Sequence, residues 1–387
     1  MALEILGVLL HRNASETTPA SQGQGFDRDM IGELAQAFDE NDFDRVLILQ
    51  NSFAPDPFAI ASYVAATTKR LAFMVAHRPG FIAPTMAARM FATLDNLSSG
   101  RAGVHVITGA NDVELQCDGD FHTKEERYLR SAEYVRIMRS IWTSGEPVDH
   151  DGDWYRFRGA MSELRPVGGA IPIYWGGSSA LALEKGAEVA DVYAIGGLKP
   201  LEGMQATVDQ LHAAWARTGR PVRLQTSVRV ILGDTEAAAW EKARDVVEAL
   251  RLKGLEQRSE IARGEGASST GMRLDPRLST TRGGSGRNEL NALANGADVL
   301  DTCLWTGITK ASVEFSTPML PPALVGTVEQ VGEAMLAYYR MGISGFLIRG
   351  FDLLADITEH GSGLIPFLRE KTARIDEQMG KDASRAA

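Results

Sequence analysis

The sequence predicts an α/β fold, a (β/α)8 TIM barrel with an insertion between its seventh and eighth strands. Short apolar runs alternate with longer stretches of helical period, the pattern of repeated βα units around a parallel sheet. Eight of those runs are continuously apolar rather than alternating, as expected for strands buried on both faces. A doubly wound sheet fits less well. It would place G-x-G-x-x-G after the first strand, where His11-Arg12-Asn13-Ala14 stands instead.

The first strand, Glu4 to Leu10, follows an N-terminus with no small-residue cleavage site, so it reads as a buried strand and not a signal peptide. An amphipathic segment, Asp27 to Asp39, leads to the second strand, Arg45 to Leu49, and the third is Leu71 to Ala76. Thr85 to Leu97 has helical period and precedes the fourth strand, Gly103 to Ile107; Glu125 to Ser144 is the next helix. Within Asp149 to Arg165, His150-Asp151-Gly152-Asp153-Trp154-Tyr155 reads as a small hairpin before the fifth strand, Ile171 to Trp175. Leu181 to Glu188, the sixth strand Asp191 to Ala194, Pro200 to Thr218, the seventh strand Leu224 to Leu232 and Glu236 to Leu252 continue the alternation. Thr327 to Tyr339 and the eighth strand, Gly345 to Arg349, complete it.

Two segments break the repeat, the hairpin and a stretch at 253–322 containing the Gly-, Ser- and Arg-rich Ala267 to Arg287. Both are expected after the carboxyl ends of strands, where barrels grow functional loops. The longer one reads as a lid, with a surface excursion or an oligomer contact as alternatives. Residues 1–387 are expected to form one domain ending in a polar tail at about 372–387.

Composition narrows the partners. With 44% hydrophobic and 23% charged residues the chain can bury a large core. A formal charge of -10 argues against nucleic acid or an anionic membrane, both of which require a basic face. No apolar run reaches membrane-spanning length. Two cysteines, Cys117 and Cys303, make neither a disulfide framework nor a zinc site, which fits a reducing cytoplasm. No H-E-x-x-H is present, so no metal is expected, and no G-x-S-x-G elbow supports nucleophilic hydrolysis.

The strongest chemical signal is Gly176-Gly177-Ser178-Ser179, which ends an apolar strand where a helix begins. Glycines let backbone N–H groups approach a phosphate, the helix N-terminus adds partial positive charge, and serine hydroxyls donate. The alternative is a plain turn with Ser179 as N-cap. His11, His77 and His105 fall at strand ends, the usual location of a barrel's active site, although a lone histidine can equally be structural. Thr123 to Tyr128 reads as a capped, charged first helical turn, and Ser52, Asp56 and Arg229 are further polar candidates near strand ends.

Longer motifs carry a resemblance. Val75-Ala76-His77-Arg78-Pro79-Gly80, Ala83 to Arg89, Thr93 to Arg101, Val106-Ile107-Thr108-Gly109, Asp118-Gly119-Asp120-Phe121, Glu126-Arg127-Tyr128, Tyr174 to Ser179 and Met341 to Phe346 appear in matching order across most of the chain. Together they resemble the bacterial luciferase-like flavin monooxygenases, and more narrowly the alkanesulfonate monooxygenase branch. The resemblance implies a barrel that takes reduced FMN (FMNH2) from a separate NAD(P)H-dependent flavin reductase, reacts it with O2 to a flavin hydroperoxide and oxygenates a small organic substrate. Homodimers or homotetramers are common in the family.

By position in those motifs, Gly177, Ser178, Ser179 and Tyr128 would hold the phosphate, with Lys124 standing where relatives often have histidine. Ala76 matches the site of the family's non-prolyl cis peptide beneath the flavin, and His105 and Thr108 would line the ring. His11, Ser52 and Arg229 would face the reacting side.

The substrate half departs from the branch. The active-site cysteine is absent around Gln50-Asn51-Ser52-Phe53, an Arg-x-His pair appears as Ser227-Val228-Arg229, and a C-terminal tyrosine becomes Phe351. A sulfonate needs clustered cationic partners, so the substrate stays open, organosulfur compounds included. A deazaflavin-dependent hydride-transfer oxidoreductase and a non-catalytic flavin-binding protein are the alternative readings.

Overall fold

The computed structural model describes residues 2–13, 15, 17–18, 25–109, 111–262, 285–315 and 320–386. The first half runs β1 (Glu4–Leu9), α1 (Arg28–Glu40), β2 (Arg45–Ile48), α2 (Pro57–Thr67), β3 (Ala72–His77), α3 (Pro84–Leu97), β4 (Ala102–Val106), α4 (Asp112–Cys117) and α5 (Lys124–Thr143). A hairpin of β5 (Val148–Asp151) and β6 (Arg156–Ala160) follows, then β7 (Ile173–Gly176), α6 (Ala180–Val189), β8 (Val192–Gly197), α7 (Leu201–Ala216) and β9 (Arg223–Leu232). Next come α8 (Glu236–Ala262), α9 (Ser285–Ala294), β10 (Val299–Leu300), β11 (Leu304–Trp305), α10 (Gly307–Glu314) and β12 (Ala323–Gly326). The chain ends with α11 (Val328–Arg340), β13 (Ile343–Arg349), α12 (Leu353–Glu359), a π-helical turn (His360–Leu364) and α13 (Ile365–Ala386).

Eight parallel strands close the barrel in the order β1, β2, β3, β4, β7, β8, β9, β13, with β13 returning to β1 where Glu4 stands opposite Gly345. These are the eight predicted strands, each shifted at its ends by no more than a few residues. Leu6, Leu47, Met74, Tyr174, Val192 and Leu347 fill the bore, while alternate residues on the same strands pack outward on the helices. The floor is ionic. Arg45 Nε donates to Glu4 Oε1 at 3.0 Å, Tyr174 Oη donates to the same carboxylate at 3.1 Å, and the Arg223 guanidinium lies 3.7 Å from it.

Helix α2 escaped the sequence reading because PFAIASYVAAT is apolar all round and shows no helical period. Helix α8 covers the segment of helical period at Glu236 to Leu252, but it is not the ring helix that the alternation there suggests. The ring helix between β9 and β13 is α11, which packs on both strands and on α7. Strand β12 runs parallel to the upper half of β9, Ala323 opposite Arg229 and Gly326 opposite Leu232. The described elements between β9 and β12, α8 among them, therefore leave from and return to the carboxyl side, so the additional segment starts before residue 253. Its Ala267 to Arg287 stretch lies largely outside the described residues.

The hairpin exists, but it does not follow a strand's carboxyl end. It leaves the end of α5 and returns to the start of β7, on the amino-terminal side of the barrel, and folds back along α5. Glu133, in the middle of α5, explains the attachment: its carboxylate accepts from Tyr155 N at 3.0 Å and Trp154 N at 3.2 Å and meets His150 Nε2 at 2.9 Å. The polar tail expected at the C-terminus continues as α13, tied down where Tyr339 Oη donates to Asp376 at 2.9 Å.

Candidate active site

The carboxyl mouth of the barrel gathers most of the residues singled out from the sequence. Strand β7 ends in Gly176, and Gly177 turns the chain into α6 with φ of +145°, a conformation side chains rarely adopt. A Cβ on Gly177 would lie 2.3 Å from Tyr128 Oη and 2.6 Å from Ala182 Cβ. Tyr193 Oη donates to Gly177 O at 2.6 Å, so two tyrosines from different elements clamp this one residue. Ser179 caps α6, its Oγ accepting from Ala182 N at 3.2 Å, which leaves the hydroxyl proton free to donate outward. The N-cap and phosphate readings of this turn are thus compatible.

Thr108 joins the same corner. It shares a hydrogen bond with Tyr128, whose phenol is raised above its ordinary pKa mainly by burial. The Thr108 carbonyl accepts from Arg127 Nε at 2.8 Å, and Arg127 Nη2 reaches Asp112 at 2.7 Å. Arg127, almost wholly buried, is the fastener that ties the β4 loop to α5. Sequence reasoning quoted it inside a motif but gave it no role. Lys124 opens α5 with an exposed side chain, one residue after the Thr123 N-cap and its capping box with Glu126.

The three strand-end histidines separate. His77 points away from the bore into the helical layer, its Nε2 2.7 Å from Tyr134 Oη and its ring edge-on to Phe58 and Phe91; it is a core residue. His105 stands opposite Ala76 and Tyr174 on neighbouring strands and faces the bore. His11 lies at the rim, where burial and the neighbouring Arg12 lower its pKa. No cis peptide occurs among the described residues, so the expected cis bond at Ala76 is not present. The β3–β4 ladder runs unbroken through Ala76 opposite His105 and His77 opposite Val106, which requires extended trans backbone.

Burial also lowers His77, His105 and His360 to about 4. In the unfolded chain these rings take up protons near pH 6.5, whereas the folded protein keeps them neutral until about pH 4. Their contribution to stability is therefore complete above pH 6.5 and is lost as pH falls toward 4, by about 1.4 kcal/mol per pH unit for each ring. The urea midpoint of the apoprotein is expected to drop clearly between pH 7 and pH 5. An unchanged midpoint would contradict neutral burial of these rings.

Ser52 is held rather than exposed to attack. Its Oγ donates to Glu114 O at 2.9 Å and accepts from Arg78 Nη1 at 2.9 Å, while Arg78 also pairs with Glu114 at 2.5 Å. Arg229, 1% exposed, lies on β9 opposite Arg349 of β13, with its guanidinium 5.2 Å from the centre of the Phe351 ring. Ser52 and Arg229 thus sit on different sides of the mouth.

A cleft of 1120 Å³ lies beside the mouth, between α1, α8 and the start of α12. Asp27, Asp29, Glu33 and Asp245 line it together with the Lys242–Glu359 ion pair, so carboxylates outnumber cations there and a phosphate is disfavoured.

Residues 3–345 match the family model described as luciferase-like monooxygenase. Among solved structures, riboflavin lyase (RcaE) superposes with a TM-score of 0.74 at 17% identity, over 96% of this chain and 92% of that one. DmoA from Hyphomicrobium sulfonivorans gives 0.72 at 20% identity, over 96% and 88% of the two chains. An F420-dependent secondary alcohol dehydrogenase gives 0.65 at 16% identity, over 95% and 99%. At these identities the structural likeness is one of fold alone. The family model spans nearly the whole barrel, and on that match the chain belongs to the luciferase-like monooxygenase family.

Proposed function

We propose that the protein is the oxygenating component of a two-component system, binding FMNH2 supplied by a separate NAD(P)H-dependent flavin reductase and oxygenating a small organic substrate with O2. The observation that carries this reading is the clamped Gly177 turn. Its backbone and the start of α6 fit a phosphate, and no side chain could replace the glycine without displacing Tyr128.

When bound, the reduced flavin supplies the electrons that activate O2. The protein's own work is to hold and enclose it. Gly177, Ser178, Ser179 and Tyr128 hold the phosphate, with the Lys124 ammonium adding charge. Thr108, fixed through Arg127, and Ala76 shape the wall beside the ring. On the reacting side, Arg229 offers positive charge to an anionic substrate group, and His11, its pKa lowered by burial and by Arg12, stands at the rim as a proton acceptor. Ser52 acts through the rim it fastens to Glu114 and Arg78.

Anaerobic titration with reduced FMN, followed by oxygen-uptake assays with a supplied reductase and a substrate panel that includes organosulfur compounds, tests the reading. Saturable FMNH2 binding and substrate-dependent product formation are expected, with FMN outcompeting the deazaflavin F420. Folded protein that ignores reduced FMN would refute it. Preferential F420 binding would favour hydride transfer, and binding without any turnover would favour a flavin carrier.

A further inference from the structure

The bore holds two polar side chains that the protein itself leaves unsatisfied. Gln225, 3% exposed, sits on β9 opposite Ala194 of β8 and Gly345 of β13, and its buried Oε1 has no hydrogen-bond partner. His105, on β4, has a buried Nδ1 equally without a partner. Neither side chain makes a hydrogen bond among the described residues. A buried amide or imidazole left in this state costs about 1–3 kcal/mol of desolvation, which an apolar side chain of the same shape would avoid. Native proteins seldom keep such groups unless something else satisfies them.

Their placement says what that could be. Strands β4 and β9 flank β7 and β8, the pair whose carboxyl ends carry the Gly177 turn. At about 4.8 Å per strand the two positions lie roughly 14 Å apart around the wall, with His105 level with Tyr174 and Val192 and Gln225 one inward-facing layer higher, level with Ala194 and Gly176. Between them the wall is thin, because Gly176 and Ala194 stand opposite one another at the level above Tyr174 and Val192. A ligand whose phosphate rests on the Gly177 turn would lay its ring along this thin stretch of wall, the side on which both side chains point inward.

We infer that Gln225 and His105 form a polar floor that recognises the pyrimidine edge of the bound flavin. This rests on the flavin reading above. That edge presents an N3–H donor between two carbonyl acceptors. A glutamine amide matches it with one acceptor and one donor, whichever way the amide is turned. The imidazole, neutral at physiological pH, donates to the carbonyl on the other side. Charge is not needed at either position, which suits an uncharged ureide edge better than an anionic group.

The test compares reduced FMN with reduced N3-methyl-FMN in anaerobic titrations of the wild type and of Gln225→Met, alongside the thermal midpoint of each apoprotein. Wild type is expected to bind the N3-methyl analogue about ten-fold more weakly than FMN, the loss of one well-buried hydrogen bond. Gln225→Met is expected to lose about ten-fold in FMN affinity, to treat the two flavins alike, and to have an apoprotein midpoint equal to or above wild type. A purely structural glutamine would instead lower the midpoint and leave the flavin preference unchanged. His105→Gln, which keeps a donor and an acceptor, is expected to retain most of the affinity. Wild-type protein that binds both flavins equally overturns the inference without any variant, while the FMN reading stands. Wild type that binds neither overturns both.

Discussion

On the proposed function, replacing Gly177 by alanine is expected to weaken FMN binding about 100-fold while leaving riboflavin binding within two-fold of wild type. The added Cβ would approach Tyr128 Oη to 2.3 Å and Ala182 Cβ to 2.6 Å, in a backbone conformation of φ +145° that alanine resists. Tyr128 or the turn must move, and either shift misaligns the N–H groups of the cradle. Strain of about 1–3 kcal/mol and the loss of at least one charge-assisted hydrogen bond together reach about 3 kcal/mol, or two orders of magnitude in affinity. Riboflavin lacks the phosphate, so fluorescence titrations with both ligands isolate the cradle. Equal losses for the two would show that the turn supports the ring and not the phosphate.

Arg45→Met is expected to have the largest effect on stability, a loss of about 3–5 kcal/mol read as a lowered urea midpoint. Arg45 is paired with Glu4 at 3.0 Å inside the barrel floor, and its Nη1 also donates to Phe73 O at 3.2 Å. Removing the cation leaves the Glu4 carboxylate buried with Tyr174 and the more distant Arg223. Adding Glu4→Gln to the same chain removes the stranded charge and should recover part of the loss. A double variant no better than the single one would mean that Arg45 acts mainly through the backbone carbonyls and its stacking on Tyr174.

The strands were legible because burial on both faces leaves long apolar runs that few other structures need. Helices were legible only where one face is polar. That is why α2 went unseen, and why α8 was recognised without its location, since amphipathicity does not say which side of a barrel a helix lies on. The same limit governs the histidines. His77 and His105 both end apolar runs, yet one-residue differences in strand phase send the first into the helical layer and the second into the bore. Motif order singled out Gly177, Tyr128 and Thr108, which the fold brings to one corner. It gave no hint of Gln225, because a single polar residue in a strand looks the same whether it faces solvent, a ligand or a neighbouring side chain.

The ionic floor has a consequence for traffic. With Glu4, Arg45, Tyr174 and Arg223 at the amino end and Leu6, Leu47, Met74, Val192 and Leu347 packed inside, the described residues leave the carboxyl mouth as the open end of the barrel. On the proposed function, fresh cofactor, oxygen, substrate, product and spent cofactor all pass through that opening. Cofactor and substrate would then share one approach, so the order in which they are added is expected to change how fast the flavin loads.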